Sequence, residues 1–205
     1  MAINEAALQR CQLIVVFFSC ESIREVNLIV VGQTGAYAEY PYNTDDTSLE
    51  TCDGDCSEVY GLLYNWYAVD DDRGICPEGW HVPTDEEWME LEMTLGMSYE
   101  EAHNLGLRGT DEGSQLSGTA EFWTDGELEN NEEFGASGFN TIPSGSRDSY
   151  TGIFHGMGHS CQYWTSTATG SWTDSRNRRL LSFTPQINRS TNMWSYGLSV
   201  RCVQD

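Results

Sequence analysis

Residues 13–18 (LIVVFF) and 26–31 (VNLIVV) are apolar and rich in β-branched side chains, and both read as buried strands. Ahead of them, residues 4–12 predict a short helix with Asn4 as N-cap. Pro41, Asn43 and the Asp45–Asp46 pair then mark a turn or linker. Residues 1–58 are therefore set apart as a β-rich arm, and residues 59–205 as the main domain. The aromatic run at 61–69 (GLLYNWYAV) reads as a strand. Next comes a helix start: Thr84 as N-cap with Glu87 three residues on forms a capping box, and Asp85, Glu86 and Glu87 suit the positive end of the helix dipole. Trp88, Leu91 and Leu95 fall on one face of this helix, and Gly96 stops it. Ser98 and Glu101 repeat the device, closing at Gly106. Beyond this point short apolar and aromatic stretches alternate with Gly, Ser, Asn and Asp, a pattern of strands and long loops.

Charge changes this picture in one respect. The formal net charge is -22, and all ten basic residues are arginine. Acids crowd between Glu39 and Glu133, whereas the later part sets Arg147, Arg176, Arg178, Arg179, Arg189 and Arg201 against Asp148, Asp174 and Asp205. Such a chain repels nucleic acid and anionic lipid, so neither is expected as a partner. Solubility is the plain reading of the acid, with calcium as the one cofactor candidate and none otherwise expected. No apolar run is long enough to form a helix across a membrane. The segment ending at Cys20 has a faint likeness to a lipoprotein cleavage box, but Glu5 and a single Arg10 do not make a basic leader, so the start reads as structural.

Seven cysteines without a clear zinc pattern point to an oxidising destination. Cys52 and Cys56 flank an Asp-Gly-Asp turn. A local disulfide is the first reading there; a calcium fragment lacks the full loop of spaced oxygens, and a zinc knuckle lacks a second cysteine pair. Cys11, Cys20 and Cys161 are candidates for bonds between subunits. His155, His159 and Cys161 have ligand chemistry, but their glycine-rich loop offers no fourth ligand, so solvated histidines are the preferred reading.

Five stretches occur in a telling order: GLLYNWYAV, GICPEGWHVPTDEEW, SGFNTIPSGSR, YWTST and YGLSVRCVQD. Together they resemble the Fibrobacter succinogenes major paralogous domain, from about Tyr60 to Asp205. That resemblance implies an α+β, C-type lectin-like fold, with two helices, short twisted antiparallel strands and long loops. The fold is shared with formylglycine-generating-enzyme-like domains and retroelement-diversified receptor-binding proteins. It implies that residues 61–69 lie beside residues 197–203, and that Cys76 and Cys202 are disulfide-bonded. Trp80 and Trp88 would then fill the core, with His81 buried and hydrogen-bonded.

The same resemblance bears on chemistry. Formylglycine-generating enzymes use two closely spaced cysteines, whereas Cys161 and Cys202 are far apart, which argues against oxidase chemistry. No nucleophile stands with an identifiable base. The expectation is a non-enzymatic extracellular or virion-surface protein that assembles through its arm as a homo-oligomer or filament. The alternative is a secreted module that binds a glycan or a host surface protein. In the diversified relatives the late region displays the ligand-binding residues. By region this points to Trp172, Arg176, Asn177, Asn188, Arg189, Asn192 and Trp194. Asn188 also heads a glycosylation sequon.

Overall fold

The computed structural model describes residues 37–38, 56–171 and 173–205. Its chain order is β1 (Tyr37–Ala38), α1 (Cys56–Tyr60), β2 (Leu63–Tyr64), α2 (Trp66–Val69), β3 (Trp80–His81), α3 (Asp85–Thr94), α4 (Tyr99–His103), β4 (Gly106–Arg108) and α5 (Glu112–Leu116). After a 3-10 turn at Ala120–Phe122 follow β5 (Ser144–Arg147), β6 (Phe154–Met157), β7 (Ser160–Ala168), β8 (Asp174–Leu181), β9 (Thr184–Met193) and β10 (Val203–Gln204). The class is α+β.

The organising unit is a six-stranded sheet in the order β4-β9-β8-β7-β5-β6. Its ladders are antiparallel except where β5 meets β7 at Gly145 and Cys161. One face packs against α3 and α4 over Trp88, Met89, Phe139, Tyr163, Leu180 and Ile187, which are all buried. The other face is covered in part by Trp66, Trp164 and Leu198.

Both capping boxes form. Thr84 Oγ1 accepts from the Glu87 amide at 3.1 Å, while Glu87 Oε2 accepts from the Thr84 amide at 2.8 Å. Ser98 and Glu101 repeat the exchange at α4. Gly96 follows the end of α3 with φ of +127°, a region closed to most L-residues, whereas α4 ends at Asn104 in an extended conformation and Gly106 instead opens β4.

Residues 61–69 are not one strand. Only Leu63–Tyr64 are extended, and Asn65 then caps α2 by accepting from the Ala68 amide at 3.1 Å. An Asn side chain inside an aromatic run offers a helix start that β propensity alone hides. The chain ends do meet: Tyr64 bridges Leu198, and β10 pairs with β3 through Val203–His81 and Gln204–Trp80. Trp88 is core at 2% exposure, but Trp80 is only half-buried because it lies on this two-stranded edge. Cys76 and Cys202 are bonded across a separation of 126 residues, for which the chain-entropy model gives roughly 5 kcal/mol. Tyr37–Ala38, inside the segment set apart as the arm, pairs with β2. The end of that arm, from Cys56, starts α1; the rest, with Cys11, Cys20 and Cys52, lies outside the described residues. No described helix is long and apolar enough to cross a membrane.

Candidate functional site

Strand alternation sorts the late candidates onto two faces. In β8 the even-numbered arginines point toward α3. Arg178 donates from Nη1 to Asp85 Oδ1 and from Nε to Glu92 Oε1, each at 2.6 Å. Arg108 of β4 reaches Glu92 Oε2 at 2.5 Å, and Arg189 of β9 reaches Asp85 Oδ2 at 2.5 Å. Arg176 lies 4.0 Å from the same Asp85 oxygen. Arg189 also donates to the His103 carbonyl at the end of α4, at 2.8 Å. Burial pushes the Asp85 carboxyl up, but the arginines outweigh it and hold the group down at about 2. Burial pulls the Arg108 guanidinium below its ordinary value, opposed by Glu92. Arg189 is therefore a buried internal cation and Arg176 faces the same cluster, which corrects their placement on a ligand surface. Asp85 looks in sequence like a dipole-complementing surface acid; it and Glu92 are buried at 4% and 0% exposure.

The odd-numbered residues of β8 face the other way. Asn177 is fully buried, and its Oδ1 accepts from the Ser190 hydroxyl at 2.8 Å. Arg179 pairs across the ladder with Asn188, and Asn188 with Leu107. Asn192 Nδ2 donates to Gln162 Oε1 at 2.9 Å. Arg179 was not singled out from sequence, although alternation within SRNRRLL already separates 177 and 179 from 176 and 178.

At one end of the sheet several loops converge. Trp194 stacks on Trp66 with ring centroids 4.8 Å apart, and Tyr67 meets it edge-on at 5.7 Å. The Trp194 amide donates to the Thr173 carbonyl at 2.7 Å, and its indole N–H to Ser175 Oγ at 2.8 Å. Trp194 is thus half-buried support rather than a free contact. The 148–153 loop adds Tyr150, 81% exposed, whose hydroxyl reaches Met193 Sδ at 3.5 Å. Asp148 orders this loop by accepting from the Thr151 and Tyr150 amides and from the Tyr196 hydroxyl at 2.7 Å; those bonds hold its carboxyl well below the usual range. Thr151, Gly170, Ser171, Thr173 and Ser195 are exposed around the aromatic rings. Trp172, between two of them, lies outside the described residues.

Elsewhere, His81 has a carboxylate on each ring nitrogen: Asp205 at 2.6 Å on Nδ1 and Glu87 at 3.0 Å on Nε2. It is hydrogen-bonded as expected but half-exposed, because β3 lies at an edge. A shallow groove beside it is lined by Pro83, Trp88, Leu91, Phe139 and Val203. Cys56 is disulfide-bonded to a partner outside the described residues. Cys161 is free and buried at 1% exposure, against the Ser144 hydroxyl at 3.3 Å, so its sulfur has no surface for a bond to another subunit. His155 and His159 are exposed, and among the described residues no three His, Cys, Asp or Glu side chains are placed to hold a metal.

No curated protein and no solved structure matches the chain. A family model does match, over residues 19–204, and so begins inside the segment set apart as the arm. The ordered motifs, the bonded pair Cys76–Cys202 that two of them carry, and this near-complete match agree: the chain belongs to the Fibrobacter succinogenes major domain family.

Proposed function

We propose that this is a non-enzymatic extracellular display domain of C-type lectin-like architecture, which recognises a glycan or a protein through the loop end of its large sheet. The observation that carries the reading is that loop end itself. Tyr150, Tyr67, Tyr196 and Met193 are set among small polar residues, on a frame held by a disulfide and a buried ion cluster. Aromatic side chains with few rotatable bonds supply contact area at low entropic cost, and Ser, Thr and Gly around them supply adaptable hydrogen bonding. The ionisable groups that are most strongly coupled, Asp85, Glu92 and their arginines, serve internal pairing, which supports a binding rather than a catalytic role. A disulfide is compatible with an extracellular or virion-surface location.

The test is a glycan array together with a pull-down from host surface extract, using the intact chain and Tyr150→Ala. Tyr150 is exposed, so the variant keeps its fold. Specific capture that falls on the order of tenfold or more in the variant is expected for an aromatic anchor. Capture that is indifferent to Tyr150→Ala would remove the loop end as the recognition surface.

A further inference from the structure

We propose that the outer face of β8 and β9 holds a second site, for the carboxylate of an acidic sugar, with Arg179 as its cation. Arg179 is half-buried, and its Nε is buried without a hydrogen-bond partner among the described residues. The other β8 arginines face Asp85, whereas among the described residues no acid pairs with Arg179; burial pulls it below its ordinary value. A desolvated cation without an anion is unfavourable, and a bound anion relieves that.

The neighbours define the ligand. Asn177, two residues along the same face and fully buried, has an unpartnered Nδ2, while Ser190 occupies its Oδ1. Asn188 is the direct cross-strand partner of Arg179 and is half-buried. Side chains directly across a ladder lie about 5 Å apart, and those two along a strand about 7 Å, so the half-buried Arg179 and Asn188 can meet one small ligand, with the buried Asn177 amide beneath them. Gln162, on the other side of Arg179, is held by Ser146 at 3.0 Å and Asn192 at 2.9 Å and closes the patch. Leu107, next to Asn188 across the ladder, is 42% exposed and offers an apolar shelf. A planar guanidinium fits a carboxylate through two parallel bonds. Carboxamides that both donate and accept fit ring hydroxyls. The apolar shelf fits the C–H face of a sugar ring.

Charge sets the valence. Behind this face Arg108, Arg176, Arg178 and Arg189 are engaged with Asp85 and Glu92, and Glu86 also acts on Arg189, which leaves Arg179 as the β8 cation for a ligand. The chain as a whole carries -22, and its long-range repulsion is smaller for a single carboxylate than for a doubly charged phosphate.

The experiment titrates the full, oxidised chain with D-glucuronate, its methyl ester, D-glucose and acetate, read by proton–nitrogen NMR. Glucuronate is expected to shift the Arg179 Nε–H and the Asn177 side-chain amide, while the ester and glucose leave both in place. Acetate is expected to bind the same pair more weakly. Arg179→Gln should weaken glucuronate binding by roughly tenfold or more, the loss that follows removal of a charged partner. Equal binding of acid and ester, shifts that miss these two side chains, acetate matching glucuronate, or an unaffected Arg179→Gln would each overturn the proposal. The comparison of acid and ester on the unaltered chain decides the matter even if the variant misfolds. Arg179 is separate from the Tyr150 surface, so failure here leaves the loop-end reading intact.

Discussion

His81 shows how a single side chain can tie distant parts of the chain together. Its ring lies between Asp205, beyond β10, and Glu87, in the capping box of α3. Both facing groups accept hydrogen bonds, so both ring nitrogens must carry hydrogen for the pair of contacts to be favourable, which describes the imidazolium. Burial pulls the imidazole down, but the bonds to Asp205 and Glu87 outweigh it and raise the group above its ordinary value, while Glu87 is lowered. A raised value in the folded state means that the stabilisation is complete below the unfolded value, about 6.5, and is lost as pH rises through the folded one. Partial exposure screens the effect and keeps it small. Melting curves of the intact chain and of His81→Gln, run from about pH 5 to 9, should therefore converge as pH rises. A gap that stays constant across that range would mean that His81 contributes packing only.

At the scale of elements, the fold rests on how α3 is fixed to the sheet. Arg178→Gln removes the central cation and leaves Asp85 with Arg189 and the more distant Arg176, and Glu92 with Arg108. Breaking a buried pair from one side costs about 3–5 kcal/mol. Thr84→Ala removes only the cap of the same helix, for about 1 kcal/mol. Chemical denaturation of the two variants should rank them in that order, and equal losses would show that the ion cluster does not hold the helix. The contrast also explains what could be read in advance. The caps of α3 and α4 were legible because each is a bond between residues three apart. The ion cluster was not, because Arg178 meets Glu92 and Asp85 across separations of 86 and 93 residues, and Asp85 had a sufficient local role as a dipole partner. The candidate sites proposed above draw on the late region. Its residue list mixed two sheet faces, however, because position alone does not say which side of a strand is covered. Arg179 and Tyr150 were passed over for the same reason: exposure and the absence of a partner are properties of the packed sheet.

For the whole molecule, the proposal of an assembling arm sets that arm against the net charge. A charge of -22 keeps copies apart, and that repulsion is long-ranged at low salt. Residues 13–18 and 26–31 are apolar runs of high strand propensity, the kind of sequence that pairs with a neighbour's sheet edge. The proposed role for the arm is assembly, and it gives a prediction that involves both terms. Deletion of residues 1–32 retains Tyr37–Ala38, which pair with β2, together with the bonded pair Cys76–Cys202, so the domain keeps these internal ties. Light scattering should find the intact chain as an assembly of several copies and the shortened chain as a monomer. The assembly should tighten between about 0.01 and 0.5 M salt, as screening shortens the reach of the acidic charge while leaving apolar contacts in place. A shortened chain of unchanged oligomeric state would remove the arm from assembly. Intact-chain assembly that weakens with salt would instead assign it to charge pairing, a result at odds with two neutral apolar runs.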